Sequence, residues 1–343
     1  MANVVRFAVV GAGVIGPLHA KAIDLHPQAQ LTAVCDVIPE RAEKLAAQYG
    51  VKAVYADCAT MLANEPEIDV VSVCVPSGSH GEIAIAAAKA GKHVLCEKPL
   101  EITAEKMTAM ITACDEAGVK LGGVFQRRTM EAARLTKQAV DEGRLGKLVL
   151  GDAYLKYYRS PDYYKSAGWR GTWAMDGGGA LMNQGIHGID LIQWMVGDVE
   201  SVFARADALV RDIEVEDTAV VVLKYKNGAF GVIQGTTSVY PGLGTRFEVH
   251  GENGTIIFSD NGIEMWKFAD RDEEAPQAKA GYGGSSDPTA ISDDGHFLIV
   301  DDFVEAVLQD REPLVPGSEA RKAVDLLLAI YESARTGKEV KVR

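Results

Sequence analysis

The 343-residue chain is more than twice the usual domain length, which predicts two domains, and its 47% hydrophobic and 24% charged residues are those of a globular protein. Its 48 acidic and 35 basic side chains leave a formal charge of −13 at pH 7, which argues against nucleic acid and anionic membranes as partners, since both need a basic footprint. No apolar run reaches the ~18 residues of a membrane span, and residues 1–6 lead straight into a strand-like segment without signal-peptide features.

The first 125 residues alternate buried-strand and helix patterns. Val4 to Val10 is apolar except for Arg6, and Leu31 to Cys35, Val70 to Val75, Val94 to Cys96 and Val119 to Phe125 repeat that character. Alanine-rich helices are predicted between them over 16–25, 40–49, 82–90 and 104–117, with Gly91 and Gly118 stopping the last two. Such alternation predicts an α/β domain built on a doubly wound parallel sheet with right-handed crossovers. Beyond Phe125 the pattern changes. A helix over 131–142 and a glycine-rich helical segment over 180–195 precede six strands, over 202–207, 219–225, 229–237, 245–250, 255–258 and 263–268. Asn227-Gly228 and Asn253-Gly254 suit tight hairpin turns. The second domain is therefore α+β, on an open, mainly antiparallel sheet. Residues 270–295, rich in Gly, Pro, Asp and Ser, read as a long mobile loop before helices over 296–309 and 318–335. We place the domains at 1–124 and 125–343, with the C-terminal helices able to pack back on the first. The five cysteines (Cys35, Cys58, Cys74, Cys96, Cys114) are odd in number and lack ligand spacing, which predicts buried, reduced thiols in a cytoplasmic protein and no metal site.

Gly11-Ala12-Gly13-Val14-Ile15-Gly16 follows the first strand and opens the first helix. Glycines there allow a tight turn and close backbone approach to a pyrophosphate seated at the helix N-terminus. Asp36 ends the second strand twenty positions past Gly16, where a carboxylate accepts hydrogen bonds from a ribose diol and repels a 2′-phosphate. The expected cofactor is NAD rather than NADP, with Arg41 the nearby residue that would favour the phosphate. Glu97-Lys98-Pro99 ends the fifth strand, at the edge where such sheets bind ligands, and an ammonium there can stabilise a developing alkoxide. Further on, Gly177-Gly178-Gly179 leads to Asn183, His187 and Asp190, which a helix would set at i, i+4 and i+3 spacings. A histidine suits the proton of an alcohol being oxidised, although a lone histidine is more often a satisfied core residue.

Taken together, G-A-G-V-I-G, E-K-P-L and G-G-G-A-L-x-N-x-G-x-H-x-I-D-L resemble the Gfo/Idh/MocA family, that of glucose–fructose oxidoreductase and inositol dehydrogenase, over essentially the whole chain. Val73-Cys74-Val75-Pro76 with His80 resembles that family's fourth-strand loop, so Pro76, His80, Glu97 and Lys98 join Gly11, Gly13, Val14, Ile15, Gly16, Asp36 and Arg41 as cofactor-binding candidates. The resemblance implies an N-terminal Rossmann domain, a sheet that buries a dimer or tetramer interface, and reversible NAD(P)-linked oxidation of a ring hydroxyl. It gives Lys98 the role of motif lysine and His187 that of acid/base. Asn183 stands where inositol-dehydrogenase-like members have Asp, which removes a charge and weakens a claim for inositol.

Seven aromatics crowd 154–173, with Arg159 and Arg170 among them. Rings stack on the C–H face of a pyranose and arginine holds carboxylate or phosphate. Tyr157, Tyr158, Trp169 and Arg170 join Lys98, Asn183 and His187 as substrate-binding candidates, while others of the cluster form core. The main reading is a dehydrogenase acting on a sugar, sugar acid or cyclitol. Because Trp169-Arg170-Gly171-Thr172-Trp173 also resembles UDP-N-acetylglucosaminuronate dehydrogenases, a nucleotide-sugar 3-dehydrogenase is the alternative, beside an NAD-retaining glycosidase on the same fold and a non-catalytic sensor, against which Lys98 and His187 argue.

Overall fold

The computed structural model describes residues 4–279 and 293–343. In chain order the elements are β1 (Val5–Val10), α1 (Gly16–Leu25), β2 (Ala29–Cys35), α2 (Pro39–Gln48), β3 (Ala53–Tyr55), α3 (Cys58–Asn64), β4 (Val70–Val73), α4 (His80–Lys89), β5 (His93–Cys96), α5 (Ala104–Ala117) and β6 (Leu121–Gly123). There follow α6 (Glu131–Asp141), β7 (Leu148–Lys156), α7 (Pro161–Lys165), a π-helical segment (Ala180–Gly185) and α8 (Ile186–Val196). Then come β8 (Val199–Asp207), β9 (Thr218–Tyr225), β10 (Phe230–Thr236), β11 (Arg246–Gly251), β12 (Gly254–Ser259), β13 (Gly262–Phe268), α9 (Asp293–Leu308), α10 (Gly317–Thr336) and β14 (Val340–Lys341). They form two compact units: Met1–Gln126 with Asp293–Arg321, and Arg127–Ser292 with Lys322–Arg343.

In the first unit six parallel strands lie in the order β3-β2-β1-β4-β5-β6, so the winding reverses between β1 and β4. Every residue of β1 except Arg6 is buried, because helices cover both faces of such a sheet. Local chemistry sets the helix ends. The Asp57 carboxylate accepts the Thr60 N–H at 2.7 Å to start α3, and Gly118, at φ 64°, stops α5. Helix α9 completes the core, with Ile299, Val300, Phe303 and Val304 packed among Phe7, Val9, Ile23 and Leu95.

The second unit holds an eight-stranded sheet in the order β13-β12-β11-β7-β10-β9-β8-β14. All pairs are antiparallel except β7 with β10. Helix α8 approaches β7 so closely that a Cβ on Gly188 would lie 2.3 Å from the Leu155 side chain. The predicted 270–295 loop needs correction. Residues 271–279 carry no regular structure and 280–292 lie outside the described residues, but Asp293 to Gly295 already belong to α9. The apolar face that begins near His296 recruits the preceding turn, whose backbone groups supply the first helical hydrogen bonds.

Candidate active site

Where the winding of the first unit reverses, the β1–α1 loop allows few side chains. Gly11 has φ 100°, and a Cβ there would lie 2.4 Å from the Cys74 carbonyl oxygen; a Cβ on Gly16 would lie 2.1 Å from the Gly11 carbonyl oxygen. Gly13 differs, with nothing within 4 Å of its Cβ position, and it forms an exposed edge with Val14, while Ile15 is half-buried. Asp36, buried at the end of β2, accepts the Ala12 N–H at 2.7 Å and the Ile38 N–H at 2.8 Å. Each oxygen retains lone-pair capacity for a hydroxyl. Arg41 is exposed on α2. Two positions closed to side chains, an open one, a helix N-terminus and a fixed carboxylate fit a dinucleotide.

Pro76 is half-buried beyond β4. His80 is buried instead of facing an opening: its Nδ1 lies 2.7 Å from the Pro99 carbonyl and its Nε2 2.9 Å from that of Val75, so it ties the two strand-end loops together. Burial pushes its pKa below the usual value, against the pull of both carbonyls. Glu97 is buried too. Its Oε1 lies 3.0 Å from His19 Nε2 and 3.3 Å from His296 Nε2, and its Oε2 accepts the Lys98 backbone N–H at 3.1 Å. Its carboxylate therefore works inward, shaping the β5 end, while Lys98 is half-buried beyond it. Burial alone would raise the Glu97 pKa, but the hydrogen bonds from the two imidazoles hold it well below the usual carboxylate range. Burial also lowers that of His19.

In the second unit, a Cβ on Gly179 would lie 1.8 Å from the Glu216 carbonyl oxygen. The Glu216 carboxylate accepts the N–H groups of Gly179 at 2.9 Å and Leu181 at 2.8 Å, and the Tyr331 hydroxyl at 3.0 Å. Burial pushes its pKa up to about 7. Held there, the chain enters the π-helical segment that carries Asn183 and then α8, which carries His187 at 9% exposure. Asn183 therefore sits in a wider turn than the regular helix the spacing predicted. Its Nδ2 donates to buried Asp176 at 2.5 Å, and Asp176 also accepts the Gly171 N–H at 2.9 Å. Asp190 is gripped by Arg128 through two bonds of 2.8 and 2.6 Å.

Gln184 links this turn to the aromatic cluster. Its Nε2 donates to Asn183 at 3.0 Å and to the Tyr163 hydroxyl at 2.8 Å, while its oxygen accepts from Arg159 Nη2 at 2.7 Å. The Arg170 guanidinium lies 4.3 Å from the Tyr163 ring centroid and 4.7 Å from that of Trp169. Trp169 and Arg170 thus join the Asn183 network, whereas Tyr158 packs edge-on against Tyr240 at 5.2 Å. Tyr157 is buried at 3% exposure and burial raises its phenol pKa, which suits core better than a substrate contact or a base. The sequence reading missed Asp176 and Glu216. The first stands directly before the triple glycine, a usable signal; the second is remote in sequence from the turn it holds.

The oxidoreductase model with an NAD-binding Rossmann fold matches residues 5–124, and the GFO/IDH/MocA C-terminal domain model matches residues 133–257. The chain belongs to the Gfo/Idh/MocA oxidoreductase family. This family member is an NAD(P)-dependent dehydrogenase acting on CH–OH groups. It is similar to the WlbA dehydrogenase of Bordetella pertussis, solved with NADH and UDP-GlcNAcA, at 37% identity over 99% of both chains with a TM-score of 0.89. The corresponding enzyme of Chromobacterium violaceum, solved with the same two ligands, is 34% identical over 100% of this chain and 97% of that one, with a TM-score of 0.88. Myo-inositol 2-dehydrogenase of Thermotoga maritima is 32% identical over 98% of each chain.

Proposed function

We propose that this oxidoreductase removes hydride from C3 of a nucleotide-linked sugar acid of the UDP-GlcNAcA type and delivers it to NAD. The coarser class is hydride transfer from a sugar or cyclitol hydroxyl. The likeness to two WlbA dehydrogenases over the full chain carries the finer reading. Two local features support it. Arg170, braced by Tyr163 and Trp169, suits a carboxylate, and Asn183 stands where the inositol-type charge would be.

The 11–16 loop and Asp36 hold the dinucleotide, which supplies the hydride acceptor when bound. The remaining work falls to side chains. His187 takes the hydroxyl proton, the Lys98 ammonium stabilises the alkoxide as it develops, and Asn183, fixed by Asp176, orients the substrate without adding charge. The test is absorbance at 340 nm with NAD or NADP against UDP-GlcNAcA, myo-inositol and levoglucosan, followed from the first turnover so that a retained cofactor is also seen. Reduction of NAD by UDP-GlcNAcA is expected; myo-inositol turned over as fast or faster would replace this reading with the cyclitol one. His187→Ala should lower turnover by about 10²–10⁴ with NAD affinity nearly intact.

A further inference from the structure

The β5 end depends on Glu97 together with two histidines, His19 and His296, that lie outside the motifs singled out above. Glu97 is the hub, and it receives one imidazole from α1, directly behind the glycine loop, and another from α9. All three side chains are buried, and the two rings meet edge-on with centroids 5.5 Å apart. His19 is satisfied at both nitrogens, since its Nδ1 lies 2.6 Å from the Ser72 hydroxyl. His296 is not: its Nδ1 is buried without a hydrogen-bond partner among the described residues. An orphaned polar atom destabilises, and an aliphatic side chain would fill the same space without one. The other nitrogen accounts for the histidine, because its N–H reaches Glu97.

We propose that His296, together with His19, is a positioning residue for Lys98: the two imidazoles fix the Glu97 carboxylate, whose second oxygen holds the Lys98 amide at the edge of β5. The arrangement ties the lysine to α1, whose N-terminus receives the pyrophosphate, so two groups that must be in register share one anchor. This rests on Lys98 acting at the substrate hydroxyl. A buried cation held by the same three side chains is the competing chemistry. The distances favour hydrogen bonds, since both nitrogens address the same carboxylate oxygen and each imidazole N–H has an acceptor there.

The experiment compares the parent enzyme with His296→Leu, His296→Gln and Lys98→Met. Readouts are kcat and KM for UDP-GlcNAcA, NADH affinity by fluorescence, melting temperature, bound metal after dialysis, and the downfield imidazole N–H resonance of ¹⁵N-histidine-labelled protein. His296→Leu should lower kcat about ten- to a hundredfold, the scale of a misplaced catalytic group, with NADH affinity and melting temperature maintained and one downfield resonance lost. His296→Gln restores a donor near the Nε2 position and should recover most of the turnover. Parental kcat in His296→Leu overturns the proposal, as does a loss in both variants that merely tracks melting temperature. Stoichiometric retained metal would replace the hydrogen-bonded hub with a metal centre. Full turnover in Lys98→Met would instead refute the role given to the lysine, and the positioning role with it.

Discussion

Asp36 couples cofactor choice to loop geometry, because the oxygens that would face a ribose also receive the amides of Ala12 and Ile38. A 2′-phosphate would bring its charge against a carboxylate that those amides hold in place. Calorimetry should therefore show NAD binding more tightly than NADP, and Asp36→Ala should narrow the gap while weakening NAD. NADP binding as tightly as NAD to the parent would overturn this. Legibility at this scale followed the distance over which a residue acts. The glycines and Asp36 answer to neighbours on one strand–loop–helix unit, so their spacing carries the signal. Glu216 answers to partners brought near by folding, whereas Asp176 answers to Gly171 and Asn183 on the same stretch of chain. Glu97 was legible as part of a motif, yet its inward role needed His19 and His296, which lie far away in the chain.

Among the elements, the turn into α8 is held by a group whose charge depends on pH. The Glu216 pKa is raised from 4.5 to about 7 by burial, so the folded chain binds that proton more tightly than the unfolded one. The resulting stability is fully present below pH 4.5 and is lost as pH rises through about 7, with a span on the order of 3 kcal/mol. Urea midpoints should fall as pH rises from about 5 to 7 in the parent, and Glu216→Gln should flatten that slope. A parental midpoint constant over this window would refute the assignment. The same region shows why some elements escaped the sequence. Strands β8 to β13 were legible as short segments at hairpin-like spacing, with Asn227-Gly228 and Asn253-Gly254 marking two of the turns. Strand β7 carries Gly151 and Asp152, which break its apolar pattern, and β3 has only three residues. The π-helical segment differs from an α-helix in hydrogen-bond register, which hydrophobic periodicity barely records.

At the scale of the whole molecule, the second unit leaves one sheet face more apolar than water favours. Phe203, Val222 and Val232 line up across β8, β9 and β10, with Val222 50% exposed, and Phe230 pairs with Leu150 on β7. We propose that a second copy of the chain covers this face. Light scattering at micromolar concentration should give two or four times 36.7 kDa, and Val222→Lys should shift the species toward monomer. A monomeric parent would refute the proposal. The open sheet was legible here from the spacing of its strands and the Asn-Gly turns. Its one parallel pair was not, because β7 and β10 become neighbours only after α7, α8, β8 and β9 have intervened in the chain.

The first unit is interrupted by the second: its last segment, Asp293–Arg321, is synthesised only after all of Arg127–Ser292. The second unit in turn waits for Lys322–Arg343, which contributes β14. On the ribosome, at roughly 5–20 residues per second, the nascent parallel sheet emerges without the α9 side chains Ile299, Val300, Phe303 and Val304 that complete its core. Its apolar flank stays uncovered for seconds, a window for chaperone capture. A premature stop before α9 would leave both units unfinished, the first without α9 and the second without Lys322–Arg343.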